Sequence, residues 1–228
     1  MKGFNGKKFI LIILGPPGAG KGTQSKLIVE KYGLDLVVTG DLVRELRQKD
    51  TLLGRKVKEN YDAGIPQPDE IIVNTIREKI PTLQSQVGIL FDTFPLSVVQ
   101  AEALEKMAEE FHWAAPYMLY IKISAKTVVK RISSRLVCSN PKCKEIHMPS
   151  DGQSYKSRKC KKCGSDLIQR PDDKSEAVMR RIEEYKERMK SLKKFYQQRG
   201  RLIIVNGEPS VPEVTKEIFE KIEKLLSK

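Results

Sequence analysis

An apolar segment that runs directly into a glycine-rich loop is the most restrictive feature of this sequence. Residues 9–14 (FILIIL) are apolar without alternation, as in a central strand of a parallel sheet. Residues 15–23 (GPPGAGKGT) follow at once, with the G-x4-G-K spacing of a loop that wraps phosphate with its backbone N–H groups. An amphipathic helix that carries Lys21 in its first turn completes the unit, so the segment predicts a nucleotide-binding strand, loop and helix.

The order of the remaining elements indicates an α/β fold. Strands separated by helices favour one parallel sheet of five strands with helices on both faces. The predicted strands are 8–14, 36–38, 88–91, 117–123 and 202–205. The predicted helices are 21–32, 41–49, 51–62, 68–79, 97–110, 125–135, 173–199 and 211–226. The apolar stripe of the longest helix repeats at steps of three and four residues, which favours packing against the core.

Positive charge is concentrated in one part of the chain. The formal net charge is +13, and residues 120–201 hold 23 basic and 9 acidic side chains, a net charge of +14. Such a segment suits an anion, whether a nucleotide, a nucleic acid or an acidic membrane, and a solvated basic surface is the simplest alternative. No apolar run approaches the about 20 residues of a bilayer span, and no secretion signal is evident. We therefore expect a cytoplasmic protein without a membrane partner.

The same basic segment contains all four cysteines. They form a C-x4-C pair and a C-x2-C pair, a spacing that can place four thiolates around one ion. Two disulfides are the alternative, which the lack of a secretion signal disfavours, and redox chemistry or iron binding is less consistent with this pattern. His147 could replace one cysteine, but four thiolates already complete a closed site. We expect a structural Zn²⁺ site at Cys138, Cys143, Cys160 and Cys163.

Taken in order, these motifs resemble the adenylate kinase family of nucleoside monophosphate kinases, in its long form with a zinc-binding lid. Residues 15–24 (GPPGAGKGTQ) resemble the opening of that family. Residues 39–44 (TGDLVR) resemble its Thr-Gly-Asp-x-x-Arg element, and residues 92–96 (DTFPL) resemble its Asp-Gly-Phe-Pro-Arg element. Residues 170–173 (RPDD) resemble the end of its lid. The likeness covers nearly the whole chain.

The resemblance implies an activity and a role for individual residues. The expected reaction is the reversible transfer of a phosphoryl group from ATP to AMP with Mg²⁺, in which arginine side chains neutralise the transferring group. The expected catalytic residues are Lys21, Arg131, Arg135, Arg170 and Arg181. The expected ATP-binding residues are Gly18, Ala19, Gly20, Lys21, Gly22, Thr23, Arg131 and Arg135. The expected AMP-binding residues are Thr39, Arg44, Gln67, Thr93, Phe94, Gln100, Arg170 and Arg181. Thr23 and Asp92 are expected to hold Mg²⁺ through water.

The resemblance also implies one kinase unit with two insertions. The core is expected at residues 1–37, 69–135 and 172–228. An insertion at 38–68 would bind the acceptor monophosphate, and a lid at 136–171 would close over the nucleotides. ATP and AMP are the expected partners, with no nucleic acid, and a monomer is the default while a homo-oligomer stays open.

Two positions depart from the family pattern at the acceptor site. Thr93 stands where the family has Gly, and Leu96 stands where it has an Arg that binds the acceptor phosphate. Another monophosphate could therefore be the acceptor, or another arginine such as Arg47 or Arg77 could replace the missing one. A nucleotide-gated nucleic-acid-binding protein is a more remote alternative. It is disfavoured because Tyr155 is the only aromatic residue of the cysteine module that could stack on bases.

Overall fold

The computed structural model describes residues 6–143, 145–147, 158–169 and 175–227, with only the backbone described at 175–181 and at 184. The strands are β1 (Phe9–Leu14), β2 (Asp35–Val38), β3 (Gly88–Asp92), β4 (Tyr117–Lys122), β5 (Leu136–Cys138), β6 (Ile146–His147), β7 (Leu167–Ile168) and β8 (Leu202–Asn206). The helices are α1 (Lys21–Tyr32), α2 (Thr39–Leu46), α3 (Leu52–Asp62), α4 (Asp69–Lys79), α5 (Val98–Glu110), α6 (Ala125–Ser133), α7 (Ser175–Gln198) and α8 (Val211–Leu226).

Five of these strands form a parallel sheet in the order β2-β3-β1-β4-β8. β1 lies in the centre, where Ile12 pairs with Phe91 of β3 and with Met118 of β4. Every β1 residue is buried, which explains the unbroken apolar run. After β1 the chain continues to β2 and β3 on one side of β1, and after β3 it crosses to β4 on the other side. The carboxyl ends of the central strands therefore meet at a switch point of the kind where open α/β sheets bind ligands.

Alternate residues of β1 pack on opposite faces of the sheet, and each face is covered by helices. Ile10, Ile12 and Leu14 belong to a cluster with buried side chains of α4, α5 and α7. Phe9, Leu11 and Ile13 belong to a second cluster with buried side chains of α1 and α8. The predicted α/β sheet with helices on both faces is therefore confirmed.

The predicted elements match the observed ones closely, with small differences at their ends. All five predicted strands are present in the parallel sheet, and each predicted helix is present. α2 begins at Thr39 rather than at residue 41, and α6 ends at Ser133 rather than at residue 135. In the described part of α7, Ile182, Met189, Leu192 and Tyr196 are buried as the apolar stripe predicted.

A second, smaller sheet was not predicted from the sequence. β5 pairs antiparallel with both β6 and β7, in the order β6-β5-β7. Strands of two and three residues leave no periodic pattern to detect. None of the helices in the described part of the chain combines the length and the apolar character needed to cross a bilayer.

Candidate functional site

The glycine-rich loop curves around the amino-terminal end of α1. Gly18 and Gly20 adopt left-handed backbone conformations, with φ of 77° and 87°, which glycine accepts without steric cost. α1 begins directly after Gly20 without a side-chain cap, so the positive end of its dipole faces the loop. The Lys21 Nζ donates to the carbonyl oxygens of Gly15 at 2.8 Å and Pro16 at 3.3 Å. The loop is therefore a phosphate cradle with an ammonium group inside it.

This loop forms one wall of a cavity of about 1020 Å³. The cavity brings together the end of β3, the carboxyl end of α6, the loop before α8 and one face of α7. Every residue predicted to bind ATP lines it, namely Gly18, Ala19, Gly20, Lys21, Gly22, Thr23, Arg131 and Arg135. Its volume is at the upper end of what small-molecule sites offer, which suits ligands as large as nucleotides.

Two of the four predicted lid arginines, Arg131 and Arg135, line the cavity. The guanidinium group of Arg131 donates to the carbonyl oxygen of Gly18 at 3.4 Å and to that of Glu208 at 3.3 Å. Arg135 follows one turn later and lines the same cavity. Arg170 lies outside the described residues. Arg181 is on the backbone of α7, but its side chain also lies outside the description.

Asp92 ends β3 at the floor of the cavity and is 5% exposed. One carboxylate oxygen accepts a hydrogen bond from the Ser25 hydroxyl at 3.1 Å, and the other accepts from the Thr93 hydroxyl at 2.8 Å. The two bonds fix the orientation of the carboxylate. Oxygen atoms of this kind are the ligands that Mg²⁺ and its bound waters prefer, so Asp92 and Thr23 fit the predicted magnesium site chemically.

Two predicted AMP-binding residues lie at the start of α2. Thr39 is buried, and its hydroxyl has no hydrogen-bond partner within the described residues. The guanidinium group of Arg44 lies beside Gly40 and forms an ion pair with Asp41 at 2.6 Å. A buried hydroxyl without a hydrogen-bond partner lowers the stability of the fold, and a ligand that hydrogen-bonds to it would remove this cost.

The other predicted AMP-binding side chains are already engaged within the protein. Gln67 donates to the carbonyl oxygen of Val57 at 3.0 Å and accepts from the Asn60 amide. Gln100 donates to Asp69 at 2.6 Å and accepts from the Leu96 N–H at 2.8 Å, so it joins α4 to the loop after β3.

Phe94 and Thr93 differ in what they offer a ligand. The Phe94 side chain is fully buried beside Phe91, so it leaves only backbone atoms for a contact with a nucleotide. Thr93 lines the cavity with a φ of 66°, a left-handed conformation that is unusual for a β-branched residue.

The arginines suggested as replacements for the family's arginine at position 96 lie away from the cavity. Arg47 forms an ion pair with Asp62 at 3.5 Å and lies over the Tyr61 ring. Both carboxylate oxygens of Glu110 accept from Arg77 at 2.8 Å. Neither arginine lines the cavity.

Sequence reasoning missed two α7 residues that do line the cavity, Tyr185 and Arg188. The Tyr185 hydroxyl is buried without a hydrogen-bond partner in the described structure. Burial, with a smaller contribution from Tyr120, raises the pKa of Tyr185 well above its usual value, so it stays neutral. Steps of four and three residues from position 181 place 185 and 188 on one helix face, and that periodicity was the available signal.

The four cysteines form a compact cluster beside the small sheet. Their sulfur atoms all lie within 4.8 Å of one another, with 3.3 Å between Cys138 and Cys163 and 3.8 Å between Cys143 and Cys160. A tetrahedral zinc with bonds of about 2.3 Å separates its sulfur ligands by about 3.8 Å, so the cluster fits this ion. The His147 Nε2 lies 3.4 Å from the Cys160 sulfur, beside the four thiols.

The thiol groups of the cluster differ in their pKa values. Burial raises the pKa of Cys138 to about 12, whereas hydrogen bonds from Ser165 lower the pKa of Cys163 to about 6. A bound cation would favour the thiolate form at every position.

The cysteine cluster lies close to the cavity. Ile146 of β6 lines the cavity directly. The carboxylate of Glu145 forms an ion pair with Lys26 of α1 at 3.3 Å, across 119 residues of sequence. The Gln169 amide donates to the Ser133 carbonyl oxygen at the end of α6. The segment that holds the cysteines is thus in contact with the helix that follows the glycine-rich loop.

Comparison with known proteins gives a consistent result. The family model described as adenylate kinase matches residues 13–201. The adenylate kinase of Archaeoglobus fulgidus is 39% identical over 217 residues, which cover 95% of this chain and 99% of that protein. The adenylate kinase of Acetivibrio thermocellus is 36% identical over 93% of this chain and 97% of its own. That of Methanothrix thermoacetophila is 34% identical over 96% of this chain and 98% of its own.

Proposed function

The chain belongs to the adenylate kinase family, and on that premise we propose that it transfers the terminal phosphoryl group of ATP reversibly to AMP, giving two ADP. One observation carries the proposal. Groups from distant parts of the sequence converge on the cavity, including Arg131 and Gly18, which are 113 residues apart and in direct contact. Phosphoryl transfer needs such convergence because its catalysis consists mainly of positioning and charge stabilisation.

The donor phosphates would bind at the glycine-rich loop. Backbone N–H groups and the amino-terminal end of α1 would hold the phosphate chain, and Lys21 would add its charge at the terminal phosphates. Arg131 and Arg135 would neutralise the charge that spreads over the transferring group. We assign Arg170 and Arg181 to the same task from the family motif. No general base is required, since the acceptor phosphate is already an anion.

The acceptor monophosphate would bind between α2 and the loop after β3. Thr39 supports this position because its buried hydroxyl has no partner among the described residues and could donate to a phosphate oxygen. Arg44 would supply a guanidinium group and could exchange its pair with Asp41 for the phosphate. Gln100 holds the loop and α4 together, so its removal would disturb the geometry of the site.

Mg²⁺ accompanies ATP in this family, and when bound it would offset part of the phosphate charge. Asp92 and Thr23 would hold it through water, on the cavity floor beside the loop. Ser25 and Thr93 keep the Asp92 carboxylate in one orientation through their hydroxyl groups. These two residues therefore act on the metal site indirectly.

We propose that the cysteine cluster holds a structural Zn²⁺ within a lid at 136–171, and that the acceptor insertion spans 38–68. The sulfur distances support the first part. Contacts of Ile146 with the cavity and of Glu145 with α1 support the assignment of 136–171 as a lid, because a lid must reach the nucleotide site to exclude water. A cytoplasmic location is part of the proposal, because the family's substrates and a structural zinc on four thiolates suit a reducing compartment.

Leu96 is the observation that favours a different acceptor, because it places an apolar side chain where the family has an arginine. The test is a coupled assay of the chain with Mg²⁺ and ATP against AMP, GMP, CMP and UMP. We expect AMP to give the highest kcat/KM. If another monophosphate gave a higher kcat/KM, that monophosphate and not AMP would be the preferred acceptor. Phosphorylation of none of them would contradict the proposed kinase activity.

The nucleic-acid alternative is tested on the same preparation. Nucleic-acid binding through the basic segment would weaken steeply as salt is raised. We expect the protein to bind neither DNA nor RNA at physiological salt, whether or not it is first incubated with ATP. Tight, salt-dependent binding that responds to ATP would favour the alternative.

A further inference from the structure

The cavity wall contains two cations, Lys130 and Arg188, to which neither the motifs nor the proposed mechanism assigns a role, and Arg188 is the one on α7. Arg188 of α7 lines the cavity, is exposed, and makes no hydrogen bond or ion pair with any described residue. Lys190 is two residues further on and forms an ion pair with Glu187 at 2.7 Å. An acidic partner is therefore available on this helix, but it pairs with Lys190 rather than with Arg188.

Other cationic side chains share the cavity with Arg188, so an anion that binds there would be stabilised by several positive charges. Lys21, Lys130, Arg131 and Arg135 line the same cavity. Like charges that share one cavity repel each other, and an anionic ligand relieves this repulsion. A guanidinium group is also suited to phosphate, because its planar fork can donate two parallel hydrogen bonds to the phosphate oxygens.

The position of Arg188 along α7 points to the acceptor side of the cavity. The next residue, Met189, is fully buried in the core cluster against which Leu96 and Tyr185 pack. Leu96 and Arg188 therefore border one apolar cluster and face one cavity. Leu96 lies two residues before α5, in the same loop as Thr93, and both residues line this cavity.

We propose that Arg188 binds the phosphate of the acceptor nucleotide and supplies the positive charge that Leu96 cannot. This inference rests on the proposed monophosphate kinase function. In this chain the guanidinium group that binds the acceptor phosphate would therefore be on α7 and not in the loop after β3. Arg47 and Arg77, which are engaged with Asp62 and Glu110, do not serve this purpose.

The test compares Arg188→Gln with Lys190→Gln, which removes the same charge from the same helix but not from the cavity. Steady-state kinetics give KM for AMP and for ATP, and calorimetry gives the Kd of AMP alone. We expect Arg188→Gln to raise the KM and Kd for AMP about 10- to 100-fold, as for the loss of a hydrogen bond to a charged group. The KM for ATP should stay within about threefold of wild type, as should all constants of Lys190→Gln.

A second variant keeps the inference testable if Arg188→Gln affects folding. Leu96→Arg is added to Arg188→Gln, which returns a guanidinium to the loop after β3. We expect this double variant to recover most of the lost affinity for AMP, with a melting temperature close to that of wild type.

Three results would overturn the inference. Arg188→Gln could match Lys190→Gln in its KM for AMP, it could raise the KM for ATP instead, or it could lower kcat with an unchanged Kd for AMP. The failure of the proposed function is a separate result, since wild type would then phosphorylate no monophosphate.

Discussion

Single side chains in the candidate site carry costs that the rest of the fold must offset. Thr93 has a left-handed φ of 66°, which costs an L-residue roughly 1–2 kcal/mol. Its hydroxyl donates to Asp92 at 2.8 Å and its N–H donates to the Ile13 carbonyl oxygen at 3.3 Å. The backbone strain at Thr93 is therefore accompanied by a side-chain hydrogen bond that orients the Asp92 carboxylate on the cavity floor. Glycine at this position would remove the strain and the hydrogen bond together.

The Thr39 hydroxyl gives a prediction at the same scale. Thr39→Val removes a buried hydroxyl that has no partner in the described structure, so it should leave the melting temperature unchanged or raise it slightly. The same change should raise the KM for AMP about 10-fold or more, because a hydrogen bond to a phosphate is lost, while the KM for ATP stays constant. Differential scanning calorimetry and initial-rate kinetics measure the two effects.

Thr75→Val is the matched control for Thr39→Val. The Thr75 hydroxyl donates to the Ile71 carbonyl oxygen within α4, at 2.7 Å, and is thus satisfied by the protein itself. This control should leave both KM values unchanged, and Thr39→Ser should keep most of the affinity for AMP. An unchanged KM for AMP in Thr39→Val would remove Thr39 from the acceptor site.

Some site residues were predictable from sequence and others were not, for physical reasons. Lys21 could be placed because the loop spacing determines its relation to the phosphates. Arg131 was assigned through its resemblance to the arginines that lead into the family's lid. Arg188 could not be placed, because an arginine on a long charged helix usually faces solvent. Its contact with the cavity depends on how α7 is rotated against the core.

At the scale of elements, the small sheet beside the cysteines is too short to be stable by itself. Its strands have two or three residues, far below what an independent sheet needs. Cys138 ends β5 and Cys143 follows before β6, whereas Cys160 and Cys163 precede β7. The sulfur atoms of Cys138 and Cys163 lie 3.3 Å apart across 25 residues of sequence. A metal that joins them would stabilise this element in the way that a cross-link does.

Removal of the metal should therefore lower thermal stability more than it affects the chemistry. A cross-link over a loop of this size contributes about 2–4 kcal/mol, and each kcal/mol moves the melting temperature of a domain this large by about 2–4 °C. We expect one zinc per chain by atomic spectroscopy and a decrease in melting temperature of roughly 5–15 °C after chelation. Phosphoryl transfer should still be measurable below that temperature.

The control for chelation is the double variant Cys138→Ser with Cys163→Ser. It should melt at the temperature of the chelated wild type and should not respond to the chelator. If the chelator removes the metal from wild type and the melting temperature does not change, the ion does not stabilise the fold.

The amino-terminal end of α6 depends on a carboxylate from another element. Glu208 accepts hydrogen bonds from the Ser124 N–H and the Thr127 hydroxyl, both at 2.6 Å. The bond from Thr127, followed by the one from Ser124, lowers the pKa of Glu208 below its usual value. Because the folded pKa is the lower one, the stabilisation is present above the unfolded pKa of about 4.5. It is lost as the pH falls through the lowered folded pKa.

Glu208→Gln should therefore be destabilising at pH 7 and nearly neutral at low pH. The loss of about 1 kcal/mol of hydrogen bonding corresponds to a decrease in melting temperature of about 2–4 °C at pH 7. The measurement is the difference between variant and wild type at pH 7 and near pH 3. Glu220→Gln, which removes only a distant pair with Lys216 at 4.0 Å, should show no such difference. A difference that does not shrink with acidification would contradict this account.

Element boundaries show how far local sequence rules reach. The helix predicted at 41–49 was expected to begin at Asp41, which lies in the first turn of α2, where acidic residues are favoured. The helix in fact begins at Thr39, directly after β2 and without a side-chain cap. Propensity located the helix, while the close connection between strand and helix determined where it begins.

At the scale of the whole molecule, the alternate residues of β1 explain why one sheet can support two binding regions. Its two faces pack on separate helix layers, so the carboxyl end of β1 is held from both sides. The pairing of β1 with β3 and β4 then places the loop at 15–20 next to Asp92. Only tertiary pairing brings these segments together. The apolar runs predicted the strands, but strand order came from the structure.

The proposed division into core, acceptor insertion and lid predicts how ligands protect the chain from hydrogen exchange. AMP alone should slow exchange in α2 and α3. A dinucleotide in which a polyphosphate chain joins two adenosines should slow exchange there and in 136–147 and 158–169, because its phosphates span both regions. At about 100 times its Kd, such a ligand adds about 2.7 kcal/mol to the free energy of unfolding. Amides that exchange only through global unfolding, such as the buried amides of α5, should therefore gain about 100-fold protection and report that the ligand is bound. Since convergence on one phosphate chain is what couples the two insertions, protection of a single segment by the dinucleotide would contradict the proposed organisation.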